Sequence, residues 1–133
     1  MLAGIQIARY GINSQITTIA FDPVQSLLAV GTHESQYGSG QIYVFGRKRV
    51  RVVLKLPRKA TVKSLHFCAD RLVSVDSKNE LVVYSLETRQ MWATFSAPGA
   101  VTVVLTDPCL DWVFVGLQSG AYVGFPQVEL HPC

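Results

Sequence analysis

Apolar and polar residues alternate at every second position along most of this chain. In VRVVLKL, Arg51, Val53 and Lys55 fall on one side and Val52, Leu54 and Leu56 on the other, the period of a strand with one buried face. Four such runs, ITTIAF, SLLAVGT, QIYVF and VRVVLKL, follow one another and are rich in the β-branched and aromatic residues that suit a pleated surface. The turn signals DPVQS, HESQYGSG and GRKR separate them. A second quartet is predicted near TVKSLHF, RLVSVDS, LVVYSL and MWATFSA, with turns at CAD, SKN and ETRQ. The APGA turn then opens a third group, VTVVLT, WVFVGLQ and GAYVGF.

The groups repeat one phrase. Ile16 to Gly31 and Val101 to Gly116 stand 85 residues apart and match at Thr17/Thr102, Asp22/Asp107, Pro23/Pro108, Leu28/Val113, Val30/Val115 and Gly31/Gly116. Between them lies a degenerate copy in which Val62 and Phe67 take the places of Ile16 and Phe21. A unit of about 40 residues made only of short strands is the spacing of a β-propeller blade; helical repeats of that length would show a 3.6-residue period. The sequence therefore predicts an all-β, WD-repeat-like partial β-propeller of about two and three-quarter four-stranded blades. Residues 1–15 are read as an N-terminal strand or linker, 16–59 as blade one, 60–99 as blade two, 100–125 as an incomplete blade three and 126–133 as a divergent tail. A ring needs at least about four blades. An uncovered blade face of ~400 Å² of apolar surface would forgo ~10 kcal/mol at ~25 cal/mol/Å², comparable with the ~5–15 kcal/mol net stability of a domain. The expectation is a fragment of a larger propeller, or a chain that associates to cover its ends.

Blade signatures narrow the type. Strand ends at Val44-Phe45 and Tyr84-Ser85 lack the Trp-Asp of ordinary WD repeats. Instead the order is Tyr10-Gly11, FDPVQSLLAVGT, GQIYVFG, KLPRKATVKSLHF, PGAVTVV and TDPCLDWVFVGLQSG, with Leu110-Asp111-Trp112 followed by Gly116-Leu117-Gln118 as its most specific element. This pattern, from Tyr10 to Gly120, resembles the N-terminal blades of the lethal giant larvae and tomosyn family, most closely its fungal exocytosis branch. The resemblance implies a scaffold in SNARE-dependent exocytosis, vesicle docking and cell polarity. Implied partners are SNAP-type and syntaxin-type SNAREs and a Rab-type GTPase; the implied place is the cytoplasm, with peripheral association at the plasma membrane. The long HESQYGSG hairpin departs from the family pattern, as does the ending GFPQVELHPC, for which a truncated gene model or an alternative end is the expected reason.

Composition agrees with a folded, non-secreted domain. Of 133 residues, 49% are hydrophobic and 16% charged, too apolar for disorder. Cys68, Cys109 and Cys133 are odd in number and widely spaced, which argues against a disulfide framework or zinc knuckle. No catalytic, cofactor-binding, metal-binding or small-molecule site is expected. His33, His66 and His131 are isolated, with His66 read as a structural histidine in a strand. Asp22 and Asp107 precede proline between strands, where an Asx-type turn is favoured over acid–base chemistry. Met91, Trp92, Phe95 and Trp112 are read as packing between blades, the Trp112 indole finding an acceptor when buried.

Charge singles out one candidate site. The net charge is +3, yet eight of the twelve Lys and Arg residues lie between Arg47 and Lys63, and no acidic residue lies between Glu34 and Asp70. Arg51 and Lys55 should project outward from a strand, with Arg47, Lys48, Arg49, Arg58, Lys59 and Lys63 at its flanking loops. Such a strand is read first as an edge whose charges discourage aggregation. Second comes a dock for an acidic protein surface or anionic membrane headgroups. Nucleic acid comes last and is not the expected partner, since no aromatic platforms are interleaved. A propeller module docking an acidic partner or nucleic acid through this strand is the alternative to the exocytic scaffold.

Overall fold

A computed structural model describes residues 14–46, 51–107, 109 and 112–126. Among them eleven strands form three antiparallel sheets. The first holds β1 (Ile16–Asp22), β2 (Leu27–Thr32), β3 (Gln41–Phe45) and β4 (Arg51–Lys55). The second holds β5 (Val62–Cys68), β6 (Arg71–Asp76), β7 (Glu80–Ser85) and β8 (Gln90–Ser96). The third holds β9 (Val101–Thr106), β10 (Trp112–Leu117) and β11 (Tyr122–Pro126). Each strand pairs with its sequence neighbour, so each sheet is a meander, the architecture expected of propeller blades. The segments 1–13 and 127–133 lie outside the described residues.

The sheets pack face to face through two apolar layers. Ala29, Ile42, Val44 and Leu54 of the first sheet meet Val62, Leu65, Leu72, Val82 and Tyr84 of the second. Val73, Val75, Leu81, Val83 and Ala93 then meet Val101, Val113, Val115 and Leu117 of the third, where Phe95 stacks on Phe125 at 5.0 Å. Covered on both faces, β7 is buried at every position and reads as a near-continuous apolar run. In β4 the expected alternation holds: Leu54 is buried while Val53 and Lys55 are exposed.

The sequence repeat has a structural counterpart at each innermost strand. The ladder shifts register at the second residue of β1, β5 and β9, bulging Thr17, Lys63 and Thr102. One residue ahead of each strand, the carbonyls of Gln15, Thr61 and Ala100 accept from the N–H groups of His33, Ser77 and Gln118 at 2.8 Å. The bulged side chain reaches the following sheet: Thr17 Oγ1 donates to the Val62 carbonyl, and Lys63 Nζ donates to the Val101 carbonyl at 2.7 Å. Hydrogen bonds thus tie the first residue of β5 and of β9 to the sheet before it.

The aspartates serve their turns as expected. Asp22 Oδ1 accepts from Val24 N–H at 3.0 Å, and Asp107 Oδ1 from Cys109 N–H at 2.9 Å. Asp76 repeats the device, taking Lys78 N–H at 2.8 Å and Glu80 N–H at 3.1 Å. Three aromatic and sulfur side chains depart from expectation. Met91, Trp92 and Trp112 remain 46%, 37% and 44% exposed, so they do not fill the layers between sheets. Met91 and Trp92 lie on the outermost strand β8, Trp92 with the Arg71 guanidinium 4.6 Å above its ring. Trp112 stacks on Phe114 at 6.4 Å on the face of the third sheet that turns away from the second.

Candidate functional site

The cationic segment runs from the outer strand of the first sheet into the inner strand of the second. Arg47, Lys48 and Arg49 lie outside the described residues. Arg51 opens β4, its backbone paired with Phe45. Lys55 closes β4 with an exposed side chain, while its carbonyl accepts the Tyr84 hydroxyl at 2.8 Å and so anchors the strand to the second sheet. Burial pushes the Tyr84 phenol well above its ordinary value, which keeps that donor protonated.

Arg58 and Lys59 sit in the exposed link between the sheets. Arg58 Nε lies 3.0 Å from Glu80 Oε2, with the arginine side chain 61% exposed and the glutamate side chain 4%. Glu80 is the group that needs this contact, since a buried carboxylate without a cation is costly. Lys63 departs from its expected loop position. It is the bulged residue of β5, its ammonium held by the Val101 carbonyl, because the inner strand of the second sheet begins at Val62. The segment is therefore divided: Arg58 and Lys63 tie sheet to sheet, and Lys55 and Lys59 present charge to solvent.

Sequence reasoning missed a cleft beside Lys63. Lys63, Ser64 and His66 of β5 and Val101, Thr102, Val103 and Val104 of β9 line about 350 Å³ between the two inner strands. His66 Nε2 stands 3.0 Å from Ser64 Oγ, a satisfied structural histidine, and burial lowers its pKa below the ordinary value. The unfolded chain then takes up this proton at higher pH than the folded one. The stability linked to His66 is full above an unfolded value of about 6.5 and falls as pH drops through it towards the folded pKa. His66→Gln should flatten the decline in urea midpoint between about pH 7.5 and about pH 5.5; an equally steep decline in the variant would refute the assignment. Among the described residues no group of three or more His, Cys, Asp or Glu side chains is placed to hold a metal ion. Cys68 is buried, its thiol directed to the Asp107 carbonyl at 3.3 Å, while Cys109 is exposed.

Two apolar sheet faces are the other prominent surface. On the first sheet, the face away from the second carries Ile16, Ile19, Phe21 and Val53, between 43% and 66% exposed. On the third, the outer face carries Val103, Leu105, Trp112, Phe114 and Tyr122, between 39% and 82% exposed. Apolar faces of this kind mark interfaces, and charge patterning alone did not point to them.

Solved structures with the same chain path are propellers. A chain of a mitotic checkpoint complex covers 86% of this chain with a TM-score of 0.68 at 15% identity, and 34% of that chain is matched. BamB from Moraxella catarrhalis gives a TM-score of 0.65 at 14% identity, over 85% of this chain and 35% of its own. A KlHsv2 variant with a loop replaced gives 0.61 at 14%, over 87% and 36%. At such identities the likeness is one of fold. No protein-family model matches the chain. Sequence relatives are nearer. The lethal(2) giant larvae protein homolog SRO77 of Saccharomyces cerevisiae is 39% identical over 117 residues, 87% of this chain. An uncharacterized protein of Schizosaccharomyces pombe is 30% identical over 119 residues, 86% of this chain. The chain spans about 11% of the length of each of these two relatives. With that identity carried along stacked propeller sheets, the chain belongs to the lethal giant larvae family.

Proposed function

We propose that the protein acts as a non-catalytic scaffold in exocytosis and cell polarity. In this reading it presents propeller loops to SNAP-type and syntaxin-type SNAREs and to a Rab-type GTPase during vesicle docking, from the cytoplasm and peripherally at the plasma membrane. The observation that carries the reading is the 39% identity to SRO77 along 87% of the chain. The mechanism is surface presentation. Stacked sheets hold loops of several blades at fixed separations, so that a partner touching many of them loses little binding energy to their ordering. Lys55 and Lys59, exposed four residues apart at the end of the first sheet and on its exit, supply positive charge for an acidic helix or an anionic headgroup.

The test is a pull-down with purified full-length protein against a SNAP-type SNARE, a syntaxin-type SNARE, a Rab in its active and inactive states, and RNA. Retention of the SNAREs and preference for the active Rab are expected, with Lys55→Glu/Lys59→Glu weakening capture. Binding to RNA with steep salt dependence, and to none of the proteins, would replace this reading with the nucleic-acid module.

A further inference from the structure

The outer strands of the first two sheets differ in how their edges are guarded. In each sheet the fourth strand has a neighbour on one side only, so half of its backbone N–H and C=O groups point away from the sheet. The five residues of β4 include Arg51 and the exposed Lys55, the kind of charge that keeps other strands off an edge. The seven residues of β8 hold no charge and no proline. The second sheet has the first packed on one face and the third on the other. Its β8 edge lies between those faces, at the rim of the stack, so its exposure does not depend on where the chain begins or ends.

Two bonds fix which groups of β8 point outward. Ala97 N–H donates to the Asn79 carbonyl at 2.9 Å, continuing the ladder of β7 and β8 as a hydrogen-bonded pair. Steps of two from it make Phe95 with Leu81, and Ala93 with Val83, the bonded positions. Leu86 N–H donates to the Asp70 carbonyl at 2.9 Å, which assigns the even residues of β7 to β6 in the same parity. The N–H and C=O groups of Thr94 and Ser96 therefore face away from the sheet, and both residues are exposed. At the near end of this run the ladder slips between Val83 and Tyr84, which makes Trp92 the extra residue of a bulge. Met91 and Trp92 stand there 46% and 37% exposed, with the Arg71 guanidinium over the indole.

We propose that β8 receives an extended, uncharged peptide segment of a partner protein as a fifth strand of the second sheet. The segment's backbone pairs with the outward groups of Thr94 and Ser96, and one of its apolar side chains rests against Met91 and Trp92. Backbone hydrogen bonds supply the affinity, and the thioether and indole select the side chain. The segment is uncharged because Gln90 to Ser96 offer no counter-charge. A second copy is the poorer occupant: two seven-residue edges laid side by side fall short of the ~1,200 Å² at which stable pairs begin. Such an area suits a transient contact. The dock lies on the second sheet, apart from Lys55 and Lys59, and does not rest on the exocytic reading.

The probe is a phage-displayed library of random peptides, selected on the purified full-length protein and counter-selected on Thr94→Pro. Proline at 94 removes one outward N–H and leaves the bonds to β7 in place, whereas Thr94→Ala keeps that N–H. Selected peptides should alternate β-branched or aromatic residues, carry no central charge, and bind Thr94→Ala like the wild type. Thr94→Pro should weaken them at least about tenfold. A library that yields no binder, or binders that hold the proline variant equally well, would overturn the proposal. Methylating the amide nitrogens of alternate residues in a selected peptide should abolish binding in one phase and spare it in the other, since only every second N–H meets β8. Equal binding in both phases would also overturn it. This readout uses the wild type alone, so it decides the matter should Thr94→Pro fail to melt cooperatively. With peptide bound, hydrogen exchange should slow at Thr94 and Ser96 and stay unchanged at Phe95; slowing confined to other strands sinks the idea.

Discussion

Gly40→Ala should cost about 3 kcal/mol of folding stability, near the upper end of what overpacking does. A methyl group there would stand 2.2 Å from the Thr32 carbonyl oxygen and 3.1 Å from that of Ala60. Both obstacles are backbone, so no side-chain rotation relieves them. Three segments converge at this point: Gly40 N–H donates to Ala60 at 2.7 Å, and the buried Thr32 hydroxyl accepts from Gln41 N–H at 2.9 Å. Moving any of them breaks hydrogen bonds that close the long hairpin onto the link between the first two sheets. Gly38, two residues away in the same hairpin, has open space where its side chain would grow. Gly38→Ala is the control, expected to change the urea midpoint little. Equal midpoints for the two variants would contradict this account of the hairpin.

Tyr84→Ala should cost about 3–5 kcal/mol, the range for removing a large buried ring. Tyr84→Phe should cost about 1–2 kcal/mol, since the Lys55 carbonyl then loses its donor while the apolar layer stays filled. Among the described residues Tyr84 is the largest of the fully buried side chains, and it stands in the layer that joins the first sheet to the second. Against the ~5–15 kcal/mol of an ordinary domain, loss of the ring brings the first sheet close to detachment. Hydrogen exchange should then show β1 to β4 losing protection before β5 to β8. Uniform loss across both sheets would mean that they unfold as one unit and that the layer is not the weaker seam.

Much of the fold was legible because its determinants are local. Period-two alternation fixed which side of β4 Val53, Leu54 and Lys55 face, and the Asp-Pro phrases fixed turns at Asp22 and Asp107 whose carboxylates bond only two residues ahead. The repeat also foretold equivalent positions, down to Thr17 and Thr102 at matching bulges. The candidate site was legible only in part. A run of lysines and arginines announces charge, yet Arg58 is drawn to Glu80, 22 residues on, and Lys63 to Val101, 38 residues on. Neither partner is marked by any spacing in the sequence.

What the sequence by itself determined is therefore the all-β class, the strands, the order of hairpins and the family; these follow from neighbours along the chain. What only the tertiary structure decided is which face of each sheet is covered. Tyr122 and Ile42 are both large apolar residues in corresponding strands, but one is 82% exposed and the other fully buried. The hydrophobic effect rewards burial of either one equally per unit area, and the difference comes from whether another sheet is placed against it. That placement is a property of the stack as a whole.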